Sequence, residues 1–280
     1  MNIFFRRSLT GAWIVLIVLG GFWLHPVSFF LTGLILLIGT QFEYYSLIKN
    51  TGIKPQMVSG IIAGTIIYIV STLIASGSIP VISFLALTPI LIIITIAELY
   101  RKQTQPFDSL AHTFFAIVYT ALPFSMFPFA AFLHSGLNTI LPHESTIFSP
   151  GIIIGFFIIL WVNDTGAYLA GTSFGKHKLM PRISPGKTWE GCLGGFVAAA
   201  VIAWVLSDWL GVISTVQWII VSFIISIAGT YGDLIESMLK RSMDVKDSGT
   251  VLPGHGGFLD RFDSTIISFP LVYLFITVFG

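Results

Sequence analysis

Residues 231–264, YGDLIESMLKRSMDVKDSGTVLPGHGGFLDRFDS, concentrate the ionisable chemistry of the chain. Asp233, Glu236, Asp244, Asp247, Asp260 and Asp263 stand close in sequence to Lys240, Arg241, Lys246 and Arg261. Carboxylate oxygens ligate hard divalent cations, lysine and arginine bind phosphate oxygens, and glycines let backbone amides approach a ligand closely. The set predicts a place where a metal ion and phosphates meet. Asp233, Glu236, Ser237 and Lys240 are three and four residues apart, so on a helix they form one polar stripe. For Glu236 a solvated helix end, paired with Lys240, is an equal alternative. Asp233 lies deeper, behind Gly229–Gly232, and a carboxylate at that depth is a functional-site candidate. Asp260 and Asp263, three residues apart at the start of the last apolar run, would project to one face of a helix. With Asp233 they would give three carboxylates from two neighbouring helix ends, enough for an ion such as Mg²⁺ that keeps several waters. Either aspartate could also simply cap the last helix. Pro253-Gly254-His255-Gly256-Gly257 precedes them, and a glycine turn followed by a helix N-terminus is a natural phosphate site.

A second group lies upstream. Asn163 and Asp164 interrupt an apolar run, where they would face a cavity or pair between helices. Ser184-Pro185-Gly186-Lys187-Thr188 has the composition of a phosphate-cradling loop, but not the glycine spacing of a Walker A motif. Lys187 and Thr188 are candidates for a triphosphate, and Glu190 for the site or for capping the next helix.

The elements that must position these residues are membrane spans. The chain has 280 residues, 55% of them hydrophobic and only 10% charged, against about 25% charged in soluble domains. A helix needs about 20 apolar residues to cross the hydrocarbon. Nine runs qualify, near 8–25, 27–47, 57–76, 79–99, 109–134, 147–170, 191–211, 215–236 and 264–280. Pro123 and Pro128 predict a broken fifth span. All fourteen Lys and Arg residues fall before span one or after spans two, four, six and eight. By the positive-inside rule that side is cytoplasmic, with the N-terminus inside and the C-terminus outside. The fold class is therefore all-α: a polytopic integral membrane protein of about nine transmembrane helices. It reads as a single polytopic membrane domain over 1–280, with an N-terminal helical region (1–150) and a catalytic region (151–280). The loop with His134, His143 and Glu144 reads as a polar connector on the opposite side. The single cysteine, Cys192, excludes an internal disulfide framework and reads as a small packing residue. The net charge of +1 carries little information, and no nucleic-acid partner is expected.

The segment from Ser237 to Asp263 resembles the signature of the phosphatidate cytidylyltransferases, the CDP-diacylglycerol synthases. The resemblance rests on Ser237, Lys240-Arg241, Lys246-Asp247, Pro253-Gly254-His255-Gly256-Gly257 and Asp260-Arg261-Phe262-Asp263. Asn163–Tyr168 and Ser184–Glu190 are similar to further family motifs. The resemblance implies that CTP and phosphatidic acid are joined into CDP-diacylglycerol and pyrophosphate by a homodimer in the bacterial inner membrane, with the site facing the cytoplasm. It implies Mg²⁺ or Mn²⁺ held by Asp233, Asp260 and Asp263, and a monovalent cation such as K⁺. Lys240, Arg241 and His255 join these aspartates as candidate catalytic residues. Asn163, Asp164, Ser184, Lys187, Thr188, Glu190, Ser237, Lys246, Asp247, Gly256, Gly257 and Arg261 are candidates for substrate binding. The alternatives are a CTP-dependent polyprenol or phytol kinase and, in a different class, a secondary transporter.

Overall fold

Apolar runs that cross a bilayer become helices because lipid offers no partner to an unpaired backbone N–H or C=O. A computed structural model of the chain, which describes residues 3–134, 146–245, 247–249 and 256–279, follows that rule throughout. Among the described residues eight helical segments are long and apolar enough to cross a membrane, and Trp13–Leu24 is a shorter apolar stretch within the first helix. The outward surface is apolar, with Leu24 77% and Leu99 78% exposed, as a lipid-facing surface must be.

The chain divides into two units, Met1–Ser149 with Asp247–Arg261, and Pro150–Lys246 with Phe262–Gly280. The first contains α1 (Ile3–Leu24), α2 (Pro26–Asn50), α3 (Met57–Ala75), a 3-10 turn (Val81–Ala86) and α4 (Leu87–Arg101). The fifth run is broken, as its prolines predict: α5 (Pro106–Ala116) passes through a π turn (Ile117–Ala121) into the short α6 (Leu122–Ser125) and α7 (Phe127–Ala131). The π turn and the missing proline N–H groups interrupt the regular ladder there. Two short antiparallel strands, β1 (Phe132–His134) and β2 (Thr146–Phe148), follow. The core of this unit is aromatic, with Phe22, Phe29, Tyr44, Tyr45, Tyr68, Phe124 and Phe127 fully buried. Gly33 and Gly60 leave room for the rings of Tyr68 and Tyr45, which draws α2 and α3 together.

The second unit contains α8 (Gly151–Phe174), the antiparallel hairpin β3 (Lys178–Met180) and β4 (Ser184–Thr188), α9 (Trp189–Leu210) and α10 (Thr215–Ser242). α8 and α9 pack nearly backbone to backbone. A Cβ on Gly195 would lie 2.7 Å from the Asn163 carbonyl oxygen, and one on Gly166 3.1 Å from that of Gly194. Small residues at helix contacts are the usual means of association where lipid removes the hydrophobic drive. Ser214 and Gln217 form a capping box that starts α10, and Gly211 ends α9 in a left-handed conformation. The last helix, α11 (Leu259–Phe279), begins in the first unit and continues in the second. α10 and α11 reach further toward the charged segment than hydropathy predicts, so Asp233, Glu236, Lys240, Arg241, Asp260 and Asp263 are all helical.

Candidate active site

α10 brings Asp233, Glu236 and Lys240 to one face, as their spacing requires. Glu236 is not at a solvated end: it is fully buried, and its carboxylate pairs with Lys240 Nζ at 2.5 Å. Asp263, also buried, enters from α11, and its Oδ1 accepts a hydrogen bond from the Ser264 N–H at 2.6 Å. One carboxylate oxygen from each of Asp233, Glu236 and Asp263 lies within 4.8 Å of the other two. The approach of α10 to α11 is set at Gly232, where a Cβ would sit 2.7 Å from the Asp263 carbonyl oxygen and 2.8 Å from Ser264 Cα. Asp233 accepts from Ser237 Oγ at 3.2 Å and pairs with Lys187 Nζ at 2.5 Å. Three carboxylates thus face two ammonium groups, and the Asp164 carboxylate adds negative charge acting on Asp263. Converging hard oxygens with surplus negative charge, in a setting of low dielectric, fit a small divalent cation.

Lys187 reaches Asp233 from β4, and Thr230 O is a further acceptor at 3.4 Å. Residues 184–188 are therefore a strand, with Thr188 opposite Lys178 and Ser184 opposite Met180, and not the phosphate-cradling loop their composition predicts. Their neighbours also have structural duties. The buried Thr188 hydroxyl accepts the Gly191 N–H and caps α9. Glu190 accepts from the N–H groups of Lys176 and His177 at 3.1 and 3.2 Å and pairs with the His177 ring at 2.6 Å, fastening the hairpin to the helix. Asn163 is buried, and its Nδ2 donates to the exposed Asp164 Oδ1 at 3.4 Å. This contact joins sequence neighbours rather than two helices.

In the first unit, the Asp260 carboxylate, expected to complete the metal set, is held elsewhere. It accepts the Ser248 N–H at 3.0 Å and the Gly257 N–H at 2.8 Å. Among the described residues the three carboxylates that lie together are Asp233, Glu236 and Asp263, and the carboxylate of Asp260, expected in the metal set, is engaged by the Ser248 and Gly257 amides. The first amides of α11 are likewise taken by protein: Leu259 N–H donates to Glu43 Oε2 at 2.9 Å. The glycine turn serves these carboxylates. A Cβ on Gly256, whose φ is +80°, would lie 2.6 Å from Asp260 Oδ2, and one on Gly257 would overlap the Glu43 carboxylate. Arg241 donates to Val245 O at 3.1 Å, and Asp247 and Arg261 are exposed. Lys246, Pro253, Gly254 and His255 lie outside the described residues. Glu43 was not legible as a site residue; the one available signal was an acid within the apolar run of α2.

The description "Cytidylyltransferase family" belongs to the family whose model matches residues 5–279. A phosphatidate cytidylyltransferase from Bacillus subtilis (strain 168) is 46% identical over 124 residues, covering 44% of this chain and 46% of that protein. Enzymes of the same name from Staphylococcus saprophyticus and Staphylococcus aureus (strain COL) are 40% and 41% identical over 172 residues, 58% of this chain and 66% of each relative. These matches span from under half to just under two thirds of the relatives' length. A family match that runs through all the described helices settles the lineage: the chain belongs to the cytidylyltransferase family.

Proposed function

We propose that this chain transfers the cytidylyl group of CTP to phosphatidate, forming CDP-diacylglycerol and pyrophosphate. The observation that carries the reading is the convergence of half-buried Asp233 with buried Glu236 and Asp263, and Lys187 and Lys240 beside them, in a chain of this family. A phosphate oxygen of the lipid attacks the α-phosphorus of CTP. The new P–O bond forms as the bond from the α-phosphorus to the bridging oxygen of the β-phosphate breaks, and pyrophosphate leaves with that electron pair. Both reactants are anionic, so positioning and charge stabilisation carry the catalysis. A divalent ion such as Mg²⁺ or Mn²⁺, held by Asp233, Glu236 and Asp263, would supply charge neutralisation at the phosphates. Lys187, next to the exposed Pro185 and Gly186 of its hairpin strand, brings a mobile positive charge to an incoming triphosphate, while Lys240 stays tied to Glu236. No protein nucleophile is required, because a phosphate monoester has its second pKa at about 6 and is already an anion.

The same reading places the chain in the bacterial cytoplasmic membrane with its site toward the cytosol. The alternation of all fourteen Lys and Arg residues between successive connections supports that orientation. Phosphatidate then presents its headgroup from the lipid side and CTP arrives from water. A homodimer and a monovalent cation such as K⁺ belong to this reading through the family resemblance.

The test is purified full-length chain in phosphatidate vesicles supplied with CTP labelled at either the α or the γ position. Label from α in lipid, with release of pyrophosphate, is the expected result. Label from γ in a polyprenol or phytol instead identifies the kinase alternative, and uptake of solute without nucleotide turnover identifies a transporter. Chelation is expected to stop turnover and added Mg²⁺ or Mn²⁺ to restore it; full turnover under chelation overturns the metal assignment.

A further inference from the structure

Glu43 is a buried carboxylate that the proposed chemistry does not use. It lies on α2, among the large side chains of the Gln41–Leu47 turn, and is only 2% exposed. Its Oε2 accepts two hydrogen bonds, from Ser248 Oγ at 3.0 Å and from the Leu259 N–H at 2.9 Å. Those donors stand at the two ends of the 248–259 segment. The backbone comes in close at both ends. A Cβ on Gly249 would lie 2.8 Å from Glu43 Oε1, and one on Gly257 would overlap Oε2. A second contact stands one turn earlier on the same helix: Gly39 leaves a slot for the ring of Phe258, whose Cγ would be 2.8 Å from a Cβ at that position. Positions 39 and 43 share a helix face. α2 therefore offers a two-point socket, a gap for Phe258 and an anion for the amide that follows it.

An anion is the right group at this point. The first amides of a helix have no partner within the helix, and the macrodipole makes that end positive. Glu43 satisfies the Leu259 amide from α2, while Asp260, the residue that follows the segment, satisfies those of Ser248 and Gly257. The first turn of α11 carries Asp260 and Arg261, and Asp263 follows four residues after Leu259, about 6 Å along the helix axis. Fixing the helix start fixes the direction in which these side chains leave it.

We propose that Glu43 is a positioning residue for the reaction: it touches no substrate, and it holds the ends of the 248–259 segment so that the first turn of α11 presents its ionic side chains in one orientation. The proposal rests on the cytidylyl-transfer reading for the reaction that it serves, though not for the clasp itself.

The experiment compares Glu43→Leu, Glu43→Asp and Glu43→Gln in the full chain in phosphatidate vesicles. Leu keeps the volume without an acceptor, Asp shortens the reach, and Gln keeps an acceptor at the same reach without the charge. Glu43→Leu and Glu43→Asp are expected to lower kcat by about 10²-fold, the cost of a misplacement of about 1 Å, with KM for CTP little changed. Glu43→Gln is expected to recover most of kcat. Amide hydrogen exchange at 248–259 is expected to speed up in the Leu variant and not in the Gln variant. Wild-type kcat in a folded Leu variant, an equal loss in Gln and Leu, a rise in KM alone, or unchanged exchange would each overturn the proposal. Ser248→Ala and Phe258→Ala release the segment from its own side and serve where Glu43→Leu does not fold; both are expected to raise exchange and lower kcat, and no change in either quantity overturns the proposal. A wild-type chain that forms no CDP-lipid but shows the exchange pattern would refute the reaction assignment while leaving the clasp intact.

Discussion

Buried and half-buried carboxylates occur in both units, and most of their partners differ in kind. In the second unit Asp233, Glu236 and Asp263 face one another and two lysine side chains, with Asp263 also accepting the Ser264 N–H. In the first, Glu43 and Asp260 face backbone amides and a serine hydroxyl. Amides at a helix start are fixed and cannot leave, so a carboxylate they hold is committed to the fold. The Lys187 ammonium is mobile and exchangeable, so on the proposed reading the Asp233 carboxylate that it pairs with can be handed to an incoming cation. On the reading proposed above, the difference separates the groups that would meet a cation from the groups that shape the fold around them; Asp233, Glu236, Asp260 and Asp263 come from one charged stretch of sequence, and Glu43 from α2.

The comparison is broken most directly at Asp263. Asp263→Asn is expected to lower turnover by at least about 10³-fold, since a cation site of this kind contributes several kcal/mol to the transition state, while thermal unfolding in detergent stays cooperative. Turnover near wild type would remove Asp263 from the cation set. At Glu236 the stakes are also structural. Glu236→Leu leaves Lys240 without its buried partner and is expected to destabilise by about 3–5 kcal/mol, read as a lowered denaturation midpoint. The double variant Glu236→Leu with Lys240→Leu is expected to regain that stability and still lack activity; recovery of turnover would make the pair purely structural. Asp260→Asn is milder on this account. It keeps one acceptor for the amides of Ser248 and Gly257, so a loss of about 1 kcal/mol of stability, on the scale of a helix cap, accompanies an activity loss well below that of Asp263→Asn. Equal losses at the two positions would erase the distinction drawn here. The smallest effect is expected at Thr188: Thr188→Ala removes the cap of α9 at about 1 kcal/mol, and Thr188→Ser restores it, with KM for CTP the same in all three chains. A KM that tracks the substitution would return Thr188 to the substrate.

Much of the fold was legible because lipid imposes a length and a composition on every span. The eight long helical segments and the α1 helix lie where the nine apolar runs place them, and the break near Pro123 and Pro128 follows from proline chemistry. The hairpin of β3 and β4 was not legible, because strands of three and five residues, the second containing Pro185-Gly186, carry no clear alternation. Asp233 and Asp263 stood out as acids bordering apolar sequence, and the structure brings them together. Glu236 was ambiguous because the four-residue spacing to Lys240 is also that of an ordinary surface pair. Glu43 was invisible because its two partners are 205 and 216 residues away in sequence. Pairings of that separation leave no local pattern. Glycine spacing pointed to close backbone approach at 256 and 257 but could not say to what; the answer is the protein's own carboxylates.

On the metal reading proposed above, Gly232 bears on ion choice. The atoms that a methyl group there would strike belong to the main chain of α11, and main chain cannot swing aside as a side-chain tip can. How closely the two helix backbones lie at Gly232 thus limits how far apart the Asp233 and Asp263 side chains start. On that metal reading, such a constraint would favour a small ion that tolerates only one geometry over a larger one that needs six to eight oxygens spread further apart. Gly232→Ala would work as a wedge, and the first property to change would be the preference between Mg²⁺ and Ca²⁺.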